Sequence, residues 1–244
     1  MARHKTQIRI GTSGYQYDHW KEIFYPENLA KSDWLEHYCE HFNTVEINNT
    51  FYNLPKPETF SKWREKVPEN FCFALKFSRY GTHRKKLKDP QKFLPNFIEG
   101  ASMLHEKLGP ILVQLPPKWN ANPERLDEFL EKVPGKLRFA LEFRDTSWLI
   151  DPVFKVLEKY GAALCIHDLI DNHPDLTTSE WVYYRFHGKD YGGDYSYQKL
   201  RAVAEKLAAH SAAGRDVYAY FNNDLEGHAI HNARDLLKFV EDRI

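Results

Sequence analysis

Five charged or ionisable side chains recur near the ends of apolar runs in this chain: Glu46, Lys76, Glu142, Arg185 and His187. Glu46 stands in TVEIN, with Val45 and Ile47 on one face of an extended chain and Glu46 and Asn48 on the other. Lys76 sits the same way in NFCFALKFS, Glu142 and Arg144 in LRFALEFR, and Arg185 and His187 in WVYYRFH. Two carboxylates facing one space can act as acid and base. Lys76, with the small Cys72 and Ala74 on its own side, can hold an anion or attack a carbonyl, and the first use is the more common. Arg144 and Arg185 suit a phosphate or carboxylate, and His187 suits proton transfer. The competing role is structural: Glu46 and Glu142 would only neutralise Lys76, Arg144 and Arg185 in a buried ion-pair network.

These runs are evenly spread along the chain. Alternation predicts strands over Gln7–Thr12, Thr44–Asn48, Asn70–Ser78, Pro110–Leu115, Leu137–Arg144, Gly161–His167, Trp181–His187 and Asp216–Asn222. Helical spacing fills the gaps. Ser32 caps a helix through Phe42; Glu58–Lys66 and Pro90–Leu108 follow, the latter ended by Gly109. Asn122 caps a helix with Pro123 at its first position, running to about Lys132. Asp151–Tyr160, a helix from Asp194 or Ser196 to His210, and Leu225–Val240 complete the set. Residues 168–180 show no helical pattern, so the sixth crossover is irregular. Strand–helix alternation means a parallel sheet, and eight units in 244 residues favour a single TIM-like (β/α)₈ barrel over residues 1–244. An open doubly wound sheet is the alternative. GTSG after the first strand is too short for its phosphate fingerprint.

In a barrel the apolar parity packs on the helices. The other parity points inward: Glu46, Asn48, Lys76, Gln114, Glu142, Arg144, Arg185, His187 and Asn222. Most lie late in their strands, at the end where barrels of this kind carry their sites. Asp168 ends the sixth strand and Asn223 follows the eighth. Loops at that end hold Tyr15, Tyr17, Trp20, Tyr52, Trp148, Tyr191 and Tyr195, which could stack on a sugar or a base or simply pack over the barrel.

Composition narrows the partners. Lys plus Arg and Asp plus Glu balance at 34 each, so no global charge draws the chain to nucleic acid or membrane. The one strong local run is Arg79, His83, Arg84, Lys85, Lys86 and Lys88. No window approaches a membrane span, and the first residues lack the apolar core of a signal peptide. The 3 cysteines are scattered, as in reduced thiols of a cytoplasmic protein. The sequence sets no oligomeric state.

The order of motifs carries a resemblance. GTSGYQYDHW followed by FYP, then FNTVEINNTFY, FALKFSRYGTH, LVQLPP, LEFRDTSW, YRFHG and YFNND with GHA together resemble the YecE-like family, also called domain of unknown function 72. One position departs: Tyr15 stands where that family commonly has Trp. The resemblance implies a TIM-barrel-like fold and no activity, since the family is named for lacking one.

The residues lead us to expect an enzyme acting on a small anionic, sugar-like substrate. Glu46, Glu142, His187 and Lys76 would be catalytic. Asn48, Tyr52, Gln114, Arg144, Asp168, Arg185, Asn222, Asn223 and Trp20 would bind substrate. A divalent metal on Glu46, Glu142, His167, Asp168 and His187 is allowed, since these could converge from several strands, but it is not expected, because no dense local motif such as H-x-x-x-H anchors it there. The alternative is a nucleic-acid binding or processing protein using the basic loop and the loop aromatics.

Overall fold

The computed structural model describes residues 6–188 and 192–244. Eight parallel strands form one sheet: β1 Ile8–Thr12, β2 Thr44–Ile47, β3 Cys72–Lys76, β4 Leu108–Gln114, β5 Phe139–Glu142, β6 Ala163–His167, β7 Trp181–Phe186 and β8 Asp216–Phe221. Their spatial order is β1-β8-β7-β6-β5-β4-β3-β2. The helices are α1 Trp34–Cys39, α2 Asn49–Tyr52, α3 Pro57–Lys66, α4 Leu94–Ser102, α5 Pro123–Glu131, α6 Asp151–Tyr160, α7 Tyr197–Ala212 and α8 His228–Glu241. The architecture is the expected TIM-like barrel. Residues 168–180 cross without a helix; Thr178 pins the return by accepting from the Leu164 amide and donating to the Ala162 carbonyl.

The barrel closes through a seam between β1 and β2. A bridge joins Ser13 to Glu46, and the Gly14 amide donates to the Glu46 carbonyl at 2.7 Å. Lower down, the Tyr38 hydroxyl sits between the strands, accepting from the Thr12 amide and donating to the Thr44 carbonyl. Gly11 makes room for it: a Cβ there would stand 2.4 Å from the Thr44 carbonyl oxygen.

Parity divides the interior as expected. Phe71, Phe73, Leu75 and Phe77, for example, pack outward in the main core. A second, smaller core fills the lumen: Cys72, Ala74, Leu112, Ala140, Ala163, Cys165, Trp181, Tyr183, Tyr218 and Tyr220. The tyrosines bring polar tips into that core, and each tip is bonded. Tyr183 donates to Glu46, Tyr220 pairs with Thr44, and Tyr218 accepts from Arg138.

Several boundaries move for local reasons. The helix expected over Pro90–Leu108 is α4 alone, between two single turns. His105 adopts φ 51°, which an α-helix cannot hold, and β4 starts at Leu108. Gly109 therefore lies inside a strand, where β3–β4 register shifts between Phe73 and Leu75. A Cβ at Gly109 would meet Cys72 Sγ at 2.4 Å. We expect Gly109→Ala to cost about 1–3 kcal/mol through overpacking, read from chemical denaturation. Ser32 does not cap α1; its hydroxyl donates to Asp33, and the helix begins at Trp34 after a single turn. Ser196, rather than Asp194, caps α7, accepting from the Lys199 amide. Asn122 caps α5 as expected. The last helix begins at His228, because Glu226 and Gly227 both take positive φ.

One element was not expected. The chain leaves β2 at Asn48 with φ −85° and ψ −20°, so Asn49–Tyr52 winds into a helical turn. That turn sends Phe51 inward and leaves Tyr52 exposed.

Candidate functional site

A cavity of about 930 Å³ opens at the C-terminal end of the strands. Every part of its wall comes from a strand end or the loop after it. The loop after β1 gives Gly14, Tyr15, Gln16 and Tyr17; the turn after β2 gives Asn48, Asn49, Phe51 and Tyr52. Lys76 and Gln114 are the last residues of β3 and β4. Arg79 and His83 enter from the basic loop, and Arg144, Asn222 and Asp224 from beyond β5 and β8. Among the described lining residues, Asp224 is the only carboxylate, against Lys76, Arg79 and Arg144.

Below this wall lies a buried charge network. Arg185 on β7 reaches across the lumen in two directions. Its Nη2 donates to Glu46 Oε1 at 2.8 Å, and its Nη1 to Glu142 Oε2 at 2.5 Å. All three side chains are fully buried. The second oxygen of Glu46 accepts from Tyr183, and that of Glu142 from Arg144 Nε. Burial opposes the charge on Glu142, but Arg185 and Arg144 outweigh it and hold the carboxyl well below its usual range. The structural layout thus joins the predicted Glu46, Glu142, Arg144 and Arg185 into one cluster, with only Arg144 reaching the cavity wall.

His187 extends the network. Arg144 Nη2 and Arg185 Nη1 lie 3.3 and 3.1 Å from its Nε2. Guanidinium nitrogens only donate, so Nε2 accepts and Nδ1 carries the proton, 3.4 Å from Asp168 Oδ1. Burial, helped by the arginines, lowers the His187 pKa to about 4 despite Asp168. Asp168 also accepts from the His187 amide and the Tyr195 hydroxyl. Burial would raise its pKa, but the bonds from His187 and Tyr195 prevail and bring it to about 2. Its folded value lies below the unfolded one, so its contribution is present above about pH 4 and lost as pH falls towards 2. Asp168→Asn should therefore cost about 2 kcal/mol at pH 7 and flatten the loss of stability below pH 4, measured by urea denaturation.

Lys76 differs from these groups. It is 9% exposed, and its Nζ stands 4.5 Å above the Phe51 ring centroid. Among the described residues it has no hydrogen-bond or ion-pair partner. Burial and Arg185 lower its pKa to about 8, with Glu142 and Glu46 pulling the other way. The Asn48 amide nitrogen donates to the Ser13 carbonyl, while its buried Oδ1 has no partner among the described residues.

Trp20 and Asn223 fall outside the wall. Trp20 is fully buried and anchors its loop by donating to the Asp224 carbonyl. Asn223 is a loop clamp, donating to Gly193 O and Asn232 Oδ1. Tyr15, Trp148 and Tyr195 are also buried, so most of the loop aromatics pack over the barrel. Tyr52 stays exposed at the rim; Tyr191 lies outside the described residues. His83 and Gln16 were not singled out as ligand contacts from sequence, since neither follows strand parity. Burial, with Arg79 next, lowers the His83 pKa to about 4. The inner acids do not converge as metal ligands, because Arg185 occupies the space between Glu46 and Glu142.

Comparison with known proteins agrees with the sequence resemblance. UPF0759 protein YecE of Escherichia coli (strain K12) is 35% identical over 111 residues, 45% of this chain and 41% of YecE, so this match spans less than half of that relative. UPF0759 protein YunF of Bacillus subtilis (strain 168) is 26% identical over 271 aligned positions, covering 96% of this chain and 95% of YunF. The crystal structure of a DUF72 family protein from Thermotoga maritima superposes with a TM-score of 0.86 at 29% identity, over 96% of this chain and 99% of that one. The family described as "Protein of unknown function DUF72" matches residues 9–243, and the chain therefore belongs to this YecE-like family.

Proposed function

We propose that the chain is an enzyme that takes a small anionic, sugar-like substrate, phosphorylated or carboxylated, into the cavity and acts on it by proton transfer. The observation that carries this reading is Lys76: an ammonium on the cavity wall without an internal counter-ion among the described residues. A buried cation of this kind is costly, and a substrate anion would relieve the cost. Arg144 and Arg79 add positive charge beside it. Asn48, Gln114 and Asn222 offer amides to hydroxyl groups. With a pKa near 8, Lys76 can give or take a proton at neutral pH. In this reading Glu46 and Glu142 keep Arg185 and Arg144 in place, and His187 fixes the arginine fork from below.

The test is a panel of sugar phosphates and sugar acids, screened by thermal shift and then for turnover, with inorganic phosphate as the minimal probe. Saturable binding by the parent protein that is lost in Lys76→Met supports the reading. No response to any anion in the panel removes it. A second reading, an extended polyanion at the mouth, rests on the exposed Arg84, Lys86 and Lys88 next to Arg79. It requires oligonucleotide binding that weakens steeply with salt and fails when these three become Glu.

A further inference from the structure

We propose that His37, Glu40 and His41 form a divalent transition-metal site on the outside of the barrel, one that braces the loop forming one cavity wall. This site is independent of how the cavity is read. The three residues stand at i, i+3 and i+4 from the end of α1, which puts them on one face. One donor atom from each lies within 4.8 Å of the others.

The orientation of His37 is the second observation. Its Nε2 lies 3.0 Å from the Phe24 carbonyl oxygen. A carbonyl only accepts, so Nε2 carries a hydrogen, and Nδ1 is the ring atom whose lone pair is left to ligate. That lone pair lies 3.5 Å from Glu40 Oε2. Nδ1 and Glu40 Oε2 thus present two donor atoms that one cation can share. A backbone carbonyl behind the imidazole is also how metal-ligating histidines are commonly aimed. The His41 ring stands 5.1 Å from the His37 ring, edge to face.

Two imidazoles and one carboxylate favour Zn(II), Co(II), Ni(II) or Cu(II) over Mg(II) or Ca(II), with water filling the remaining positions. The Arg234 guanidinium, packed on the Phe24 ring at 5.3 Å and close enough to His41 to act on its charge, tempers affinity for a dication. The ion's role would be structural. His37 packs against Phe24 and Tyr25, and Tyr25 donates to the carbonyl of Tyr15, a cavity-wall residue. An ion on His37 would stiffen that chain of contacts.

The test uses the full chain after chelator treatment, titrated with Zn(II) by calorimetry and with Co(II) by visible absorbance. We expect one ion per chain, a Co(II) spectrum without a thiolate band, and a rise in Tm of several degrees at saturating Zn(II). His41→Ala and Glu40→Gln should each weaken binding at least about tenfold, and both residues are exposed enough to change without loss of folding. Cys39→Ser should leave binding unchanged. Absence of saturable binding overturns the proposal. So does binding that survives both ligand substitutions, or that depends on Cys39.

Discussion

Arg185→Met is expected to cost about 3–5 kcal/mol and to lower Tm by roughly 6–20 °C. The reason is geometric. Arg185 is the shared partner of Glu46 and Glu142, and all three are fully buried. Removing it leaves the Glu46 carboxylate with the Tyr183 hydroxyl as its side-chain donor among the described residues, while Glu142 keeps Arg144. The uncompensated charge therefore falls mainly on Glu46. Adding Glu46→Gln to Arg185→Met should recover part of the loss, whereas adding Glu142→Gln should recover less. Urea denaturation of the single and double variants measures both steps. Equal recovery by the two second changes would mean that the network is not divided in this way.

Lys76→Met should do the opposite to stability and more to function. The lysine pKa is lowered from 10.5 to about 8 in the folded chain. Between those values the unfolded chain binds more protons than the folded one, so stability rises with pH across that window. Below pH 8 the folded protein carries the full penalty of a buried charge. Methionine removes that penalty and keeps the contact with Phe51. We expect a gain of up to about 3 kcal/mol at pH 7 and no residual rise between pH 8 and 10.5. The same change should weaken binding of a substrate anion at least about 100-fold. A residue that destabilises the fold while serving ligand binding is the expected trade-off at a working site. A purely structural lysine would show the reverse: lower stability on substitution and no effect on anions.

The barrel was legible because its strands separate two kinds of face. Phe71, Phe73, Leu75 and Phe77 mark the outer parity, and Cys72, Ala74 and Lys76 the inner one, without any knowledge of neighbours. The same parity found Glu46, Glu142 and Arg185. Depth was not legible. Parity says that Glu46 faces inward, but not that an arginine on β7, with β1 and β8 between, is long enough to pair with it across the lumen. Nor did it show that Trp20, in a loop rich in aromatics, would turn away to bond the Asp224 carbonyl. The inward turn of Phe51 was not legible either. A single helical turn at Asn48, set by backbone angles rather than by pattern, put it beneath Lys76. His37 and His41 have a readable spacing, but they sit on a helix away from the strand ends where the site was sought.

The most direct measurement is the pKa of Lys76 itself, followed by NMR of isotope-labelled lysine with and without anions. We expect a value near 8 in the free protein, rising when inorganic phosphate or a sugar phosphate fills the cavity. A Lys76 that titrates near 10.5 and responds to neither would contradict it.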